Sequence, residues 1–326
     1  MKYIKSPSKV LKRNSSVKST IKSIIPKNII TKVNNSLNKD NSIRLYFNND
    51  TALIDTKNKS IQGVIPVFYW DSKPNFGDFI GPYLISKITG KPVLNVRNTK
   101  GSGIMAVGSI LQMLDRENMV IWGSGLIKEP NNQVIKKFRK YKPKVLSVRG
   151  KETARFLSEA GIKVQDQSAY GDPALTLPLF YEPSVSSEKK IGICPHHIHK
   201  NYFLENIVHN NNLKTIDVQR DVESVVDEIT SSSVCISTSL HGLIIAQAYN
   251  IPWVWLEITD NNLIGNDFKF DDFFSTINKS QVSHIKVKMA EVESLDFELI
   301  SRKASLPDKM YNEKLILRVI KEYLQE

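Results

Sequence analysis

The chain has 326 residues, 41% of them hydrophobic and 24% charged, which suits two soluble globular domains of about 150 residues each. These values exclude a wholly disordered, collagen-like or coiled-coil protein. Two cysteines, Cys194 and Cys235, without a CxxC pair, exclude a disulfide framework and a thiolate metal site and favour the reducing cytoplasm. The sequence contains neither an apolar run long enough for a transmembrane helix nor a secretory signal.

The positive charge is concentrated at one end of the chain. Residues 1–44 contain eleven Lys or Arg and one acid, Asp40, whereas the other residues contain 34 basic and 32 acidic side chains. We therefore predict a basic, flexible tail over 1–44 with a short helical stretch near 17–33. Such a tail is either a solvated extension or a peripheral contact with an anionic membrane. Because the body has no nucleic-acid recognition motif, no nucleic-acid partner is expected.

Strands and helices alternate in both halves of the body. The first half has predicted strands at 64–70, 93–96, 104–110, 119–122 and 145–148, with helices at 79–88 and 151–160. After a linker at 178–187, the second half has strands at 191–194, 234–237 and 251–256, with helices at 221–231, 240–249 and 312–324. The fold class predicted is α/β, with two Rossmann-like domains (45–180 and 188–326) whose parallel sheets face a central cleft.

Ligands of such folds bind where strands end and helices begin. The first candidate turn is Asn75-Phe76-Gly77-Asp78, where Gly77 permits a close backbone approach and Asp78 is either a base or a helix cap. The second is Gly123-Ser124-Gly125, which could expose backbone donors to an acceptor. No GxGxxG or P-loop motif accompanies it, so nucleotide binding is not indicated.

Two further turns contain basic side chains. Arg149 ends a strand just before a helix, where it can grip phosphate or carboxylate or simply lie on the surface. Ser239-Leu240-His241-Gly242 places a histidine in the first turn of an apolar helix, which fits a general acid or base facing a bound anion.

Two other features have structural alternatives. Asp172 precedes Pro173, so it is either a base or a turn-stabilising residue. The cluster Cys194-Pro195-His196-His197-Ile198-His199 matches no zinc spacing, and no metal is expected. If one of these histidines serves the cleft, His196 or His197 at the strand end is favoured.

Several segments together resemble a known family. In chain order they are NFGDFIGPYL, GSIL, VIWGSG, SVRGKETARFLSEAGI, YGDPAL and STSLHGLIIAQAYNIPWVW. The family that they resemble is the polysaccharide pyruvyl transferase family. The resemblance covers about 64–255. Within the family, the chain is most similar to the bacterial exopolysaccharide and capsule branch. YGDPAL and SLHGLIIAQAYNIP are its specific parts. Some relatives have an arginine where this chain has Ser239, so donor binding is expected to depend more on Arg149, Lys73 or Lys151.

The resemblance implies an architecture similar to GT-B glycosyltransferases, with the acceptor on the N-terminal side and the donor on the C-terminal side. It also implies phosphoenolpyruvate as co-substrate, with no resident cofactor, and a sugar of a surface polysaccharide or its lipid-linked precursor as acceptor. The product would be a pyruvate ketal bridging two hydroxyls of one hexose. His241 would protonate the methylene carbon or the departing phosphate, and Asp78 or Asp172 would take the sugar proton.

Two other functions fit the residues. One is a GT-B glycosyltransferase using a nucleotide sugar, although no base-binding pocket is evident. The other is a non-catalytic glycan-binding scaffold of a capsule assembly complex, anchored by the basic tail.

Overall fold

A computed structural model describes residues 42–55, 63–186, 189–207 and 212–325. Most of the predicted basic tail, including the helical stretch near 17–33, lies outside the described residues. Residues 42–44, the end of the predicted tail, open the first strand instead.

The first sheet has seven strands within the described residues. They are β1 (Ser42–Phe47), β2 (Asp50–Asp55), β3 (Ile65–Phe68), β4 (Val93–Asn95), β5 (Ile104–Met105), β6 (Val120–Trp122) and β7 (Lys144–Ser147). Their order is β2-β1-β4-β3-β5-β6-β7. Strands β3 to β7 are parallel, whereas β1 is antiparallel to both β2 and β4.

The antiparallel hairpin at the sheet edge was not expected from the sequence. Its turn residues Asn48 and Asn49 both have positive φ (48° and 62°), the conformation that a two-residue type I′ turn requires. Asparagine tolerates this conformation better than most residues, so the Asn-Asn pair was the available sequence signal.

The second sheet is parallel throughout the described residues. Its strands are β8 (Lys190–Cys194), β9 (Leu213–Thr215), β10 (Ser232–Ser237), β11 (Trp253–Ile258) and β12 (His284–Val287). Their order, β12-β11-β10-β8-β9, places β8 and β10 side by side, so the loops that follow these two strands are neighbours.

Helices connect the strands in both halves. They are α1 (Phe76–Thr89), α2 (Asn132–Tyr141), α3 (Lys151–Glu159), α4 (Lys200–Asn206), α5 (Val222–Thr230), α6 (Leu240–Ala248), α7 (Asn266–Phe274), α8 (Phe297–Ser301) and α9 (Glu313–Gln325). Short 3₁₀ segments lie at Leu111–Met113, Gln167–Ala169, Pro173–Leu179, Lys279–Gln281 and Met289–Ser294.

The predicted α/β class with two parallel-dominated sheets is confirmed. The division into domains at 180–188 stays a prediction, and two contacts bear on it. The linker segment is tied to α5, because the Tyr181 hydroxyl and the Ser184 amide both donate to Asp227 Oδ1. Helix α9 returns to the first sheet, where Trp122 Nε1 donates to the Ile316 carbonyl at 2.8 Å.

One predicted strand is largely wrong. Residues 104–110 were expected to be extended, but only Ile104–Met105 pairs in the sheet. Gly108 then takes φ +103°, so the backbone leaves the extended conformation there and the strand does not continue to 110. Apolar content alone did not reveal this turn.

Helices in the described ranges are all too short or too polar to cross a bilayer.

Candidate active site

The loops after β3 and β10 meet in space, although they lie about half the chain apart in sequence. Gly77, in the first turn of α1, lies directly against the imidazole of His241 in the first turn of α6. A methyl group in place of a Gly77 hydrogen would lie 2.3 Å from His241 Nδ1, far inside van der Waals contact. The Phe76 ring packs edge-on to the same imidazole at 6.4 Å between centroids. Glycine at 77 is therefore what admits His241 to the cleft.

The loop that holds Gly77 is anchored on the opposite half of the molecule. The Phe76 amide donates to the Val218 carbonyl at 2.8 Å, and Phe76 is fully buried. Asn75, the N-cap residue, donates through Nδ2 to Asp78 Oδ2 at 2.9 Å. Burial raises the pKa of Asp78 to about 6 against this hydrogen bond, a value suited to a base near neutral pH.

Asp172 and His241 form a pair without other partners on the facing atoms. His241 Nε2 lies 4.0 Å from Asp172 Oδ2. Both atoms are buried, and neither has a hydrogen-bond partner among the described residues. The other carboxylate oxygen of Asp172 accepts from the Ala174 amide at 3.0 Å, which confirms its turn-stabilising role. The distance between Nε2 and Oδ2 is too long for a direct hydrogen bond, so neither atom satisfies the other.

Burial shifts the two pKa values of this pair in opposite directions. Burial raises the pKa of Asp172 to about 6, against the amide of Ala174 and the charge of Arg149. Burial, with the positive charges of Arg149 and Lys269, lowers the pKa of His241 to about 3. In the free protein the imidazole is therefore neutral at pH 7, and a proton added to the pair favours the carboxyl.

The N-terminus of α6 is open at this place. Its N-cap residue, Ser239, makes no side-chain capping bond, and the Leu243 amide is the first to bond back, to the Ser239 carbonyl. The preceding amides, at Leu240, His241 and Gly242, have no partner inside the helix. Gly242 allows the first turn of α6 to pack closely against the end of β10, because a methyl group on Gly242 would lie 2.3 Å from Ser237 Oγ. A nine-residue helix beginning with free N–H groups attracts an anion.

Arg149 was expected to grip the donor, but the structure gives it other partners. Its side chain is fully buried. Nε donates to Asp272 Oδ2 at 2.9 Å, Nη1 to Ser109 Oγ at 2.5 Å and Nη2 to the Leu126 carbonyl at 2.7 Å. The guanidinium is thus held inside the cleft wall by a buried ion pair and has no exposed surface for a ligand.

The Gly123-Ser124-Gly125 segment also has a structural role, because it packs around the buried Arg149 side chain. The amides of Gly123 and Gly125 donate to the carbonyls of Ser147 and Gly108, so the expected free donors are occupied. A methyl group on Gly125 would lie 2.4 Å from the Arg149 guanidinium carbon, and one on Gly123 would lie 2.3 Å from the Pro173 ring. The glycines are required for space around these two side chains.

Asp272, in α7, completes the wall and was missed in the sequence. It is fully buried, and besides Arg149 it accepts from the Thr153 amide (2.8 Å) and hydroxyl (2.7 Å). A methyl group on Gly150 would lie 1.8 Å from the Asp272 carbonyl oxygen. Arg149, Gly150 and Thr153 therefore form one clamp that binds α7 to the first half of the chain.

The histidine cluster after β8 lies beside the site. The His196 amide donates to Thr238 Oγ1 at 2.8 Å, and burial lowers the pKa of His196, with a smaller effect from nearby cations that include Lys269. His199 is buried between Thr238 Oγ1 (3.0 Å) and the Asn261 carbonyl (2.9 Å), which is a packing role. Within the described residues, no group of three or more His, Cys, Asp or Glu side chains is arranged to hold a metal ion.

A large cavity lies on a different face of α7. It has a volume of about 970 Å³, and its lining includes Lys128, Glu129, Asp267 and Asp271. None of the residues predicted for the site lines it. This cavity is therefore a different place from the Asp172–His241 pair.

Comparison with known proteins agrees with the family resemblance of the sequence motifs. The family model for polysaccharide pyruvyl transferase matches residues 17–261. The chain is also 28% identical over 219 residues to an uncharacterized protein of Acanthamoeba polyphaga mimivirus, covering 65% of this chain and 74% of that protein.

Proposed function

Because the chain belongs to the polysaccharide pyruvyl transferase family, we propose that its cleft transfers the pyruvyl group of phosphoenolpyruvate to two hydroxyls of one hexose. The hexose would be part of a surface polysaccharide or its lipid-linked precursor. The observation that carries this proposal is the pair Asp172–His241 beside the N-terminus of α6. Its facing atoms are buried and 4.0 Å apart, and neither has a hydrogen-bond partner among the described residues.

The donor would bind at the start of α6. Phosphoenolpyruvate carries close to three negative charges at neutral pH, and free helix N–H groups are suited to such an anion. The preorganised donors need no rearrangement as charge moves towards the phosphate during reaction. Phe76 and Gly77 form the opposite side of this space.

The Asp172–His241 pair would supply the first proton. In the free protein the pair is poised with a neutral imidazole, but a bound trianion raises the pKa of both groups. If the anion lies against the imidazole, it would raise the pKa of His241 more than that of Asp172. The proton of the pair would then pass to His241 Nε2, which would deliver it to the methylene carbon. That carbon becomes a methyl group, and the adjacent carbon becomes electrophilic and oxocarbenium-like.

Asp78 would act on the acceptor. A first sugar hydroxyl attacks the electrophilic carbon, and its proton passes to Asp78, whose pKa near 6 leaves it mainly ionised at pH 7. The bond between this carbon and the phosphate oxygen then breaks. The second hydroxyl closes the ketal, and its proton leaves with the phosphate, so that the two hydroxyl protons balance the new methyl hydrogen and the hydrogen phosphate.

The acceptor side and the tail complete the proposal. A lipid-linked acceptor would lie at the cytoplasmic face of a membrane, and the basic residues of 1–44 would concentrate the enzyme on anionic lipid there.

The test uses the purified full chain with phosphoenolpyruvate and a panel of galactosides, glucosides and N-acetylated hexosides. We expect sugar-dependent phosphate release and a product with the mass of a pyruvate ketal. His241→Ala should abolish both. The matched control is His284→Gln, because His284 stacks on Trp255 and bonds Glu257 away from the cleft. Stabilisation by a nucleotide sugar, with no response to phosphoenolpyruvate, would contradict the proposal.

A further inference from the structure

Lys269 in α7 is a largely buried lysine that has no direct ion pair among the described residues, although the carboxylate of Asp78 is near enough to act on its charge. Its side chain belongs to a residue only 7% exposed. No residue in the described part of the chain forms an ion pair with it or accepts a hydrogen bond from it, and Nζ lies 5.5 Å from the centroid of the Phe270 ring. The stem of Lys269 is therefore buried, while its ammonium group is not among the fully buried atoms that lack a partner. A cation held in this way has donors left over for an anionic ligand.

The position of Lys269 on α7 directs it towards the active site. Residues three apart share a helix face, and three residues after Lys269 lies Asp272, whose carboxylate binds Arg149 in the cleft wall. The charge of Lys269 acts on Asp78, His196 and His241. Lys269 is therefore near groups from three separate strand-end loops.

The other cations of the cleft do not fill this role. Arg149 is neutralised by Asp272 and uses three donors within the wall. Lys73 and Lys151 are exposed to solvent, where attraction for an anion is weak. Burial, together with the charge of Arg149, lowers the pKa of Lys269 only to about 8, so the ammonium form dominates at pH 7.

We propose that Lys269 binds an anionic group of the donor, as the counter-ion that complements the free N–H groups of α6. The inference rests on the proposed function for the identity of the donor, but not for the existence of the anion site. The ligand class is a small carboxylated or phosphorylated anion. Binding would place a negative charge beside the ammonium group.

The experiment compares Lys269→Met, which keeps the length of the side chain without its charge, with Lys269→Arg and the control Lys279→Met. Lys279 is 62% exposed and pairs with Asp271 outside the site. Calorimetry on the full chain measures the Kd of phosphoenolpyruvate and of inorganic phosphate. We expect Lys269→Met to raise both Kd values at least tenfold, Lys269→Arg to restore part of the affinity, and Lys279→Met to change neither.

Thermal unfolding distinguishes binding from a structural role. Without ligand, Lys269→Met should unfold at about the same temperature as wild type, because methionine keeps the buried stem and Lys269 has no direct ion pair to lose, and it should lose the stabilisation by phosphate. Wild-type affinity in Lys269→Met would overturn the inference while leaving the proposed function intact. A wild-type protein that binds inorganic phosphate through Lys269 but not phosphoenolpyruvate would overturn the proposed donor and support the anion site.

Discussion

Replacing Asp172 with Asn tests how the buried carboxyl affects the free energy of unfolding, as well as its part in the reaction. The carboxyl is fully buried, and its Oδ1 accepts from the Ala174 amide, a bond that an Asn side-chain oxygen can keep. The substitution therefore removes the charge beside His241 while it preserves the turn.

The sign and size of the effect follow from the pKa of Asp172. The pKa rises from 3.8 in the unfolded chain to about 6 in the fold, so between these values the folded state binds more protons. Wild-type stability consequently falls as pH rises through this window, by about 3 kcal/mol once pH 8 is reached and by about half of that at pH 5. Asparagine has no such penalty. The stability of Asp172→Asn relative to wild type should therefore increase by about 1–2 kcal/mol between pH 5 and pH 8.

Urea unfolding at pH 5 and pH 8 measures this difference, and turnover is followed on the same samples. The control is Asp271→Asn, since Asp271 is 44% exposed and pairs with Lys279 at the surface. We expect Asp172→Asn to gain stability towards pH 8 and to lose at least tenfold in turnover, because the pair can no longer hold its proton. A relative stability as flat with pH as that of the control, or wild-type turnover, would refute the reasoning.

Three other changes probe the cleft and the tail. Gly77→Ala should lower turnover at least tenfold, because its methyl group would lie 2.3 Å from His241 Nδ1; donor kinetics measure the loss. Gly125→Ala should reduce the free energy of unfolding by about 1–3 kcal/mol, since it displaces the buried guanidinium of the wall. Gly101→Ala, whose methyl group would have only ordinary contacts, is the control for both, and an equal effect there would reject the steric argument. Deleting 1–41, which ends just before β1, should weaken sedimentation with anionic vesicles in low salt; undiminished binding would show that the tail does not bind lipid.

Sequence reasoning pointed to loops that the structure brings together, because it relied on a property of parallel sheets. Gly77 and His241 follow β3 and β10, and the carboxyl ends of these strands meet. Asp172 follows the 3₁₀ segment Gln167–Ala169 instead, and its approach to His241 was not readable from strand ends. The continuous apolar run of α6, with His241 near its beginning, was also sufficient to place His241 at a helix start.

The roles of Arg149 and Gly125 could not be read in the same way. An arginine before a helix looks free until its partner is known, and that partner, Asp272, is 123 residues away. Likewise, a glycine that admits a guanidinium and a glycine that exposes an amide have the same sequence signature.

Helix α7 was missed because its sequence, NDFKFDDFF, has no clear apolar stripe. Phenylalanine and charged residues alternate around it, since one part of its surface contacts the wall and another lines an open cavity. Lys269 and Asp272 were therefore invisible as site residues, although a lysine among phenylalanines was a signal of a buried charge.

The fate of the oxygen that joins carbon to phosphorus in phosphoenolpyruvate tests pyruvyl transfer most directly. The donor is labelled with ¹⁸O at that position and incubated with the enzyme and an acceptor, and the phosphate and the sugar product are analysed by mass spectrometry. The proposed mechanism breaks the carbon–oxygen bond, so the label should appear in the phosphate and the ketal should be unlabelled. Label retained on the pyruvyl carbon, with phosphorus transferred to the sugar or to water, would contradict the account.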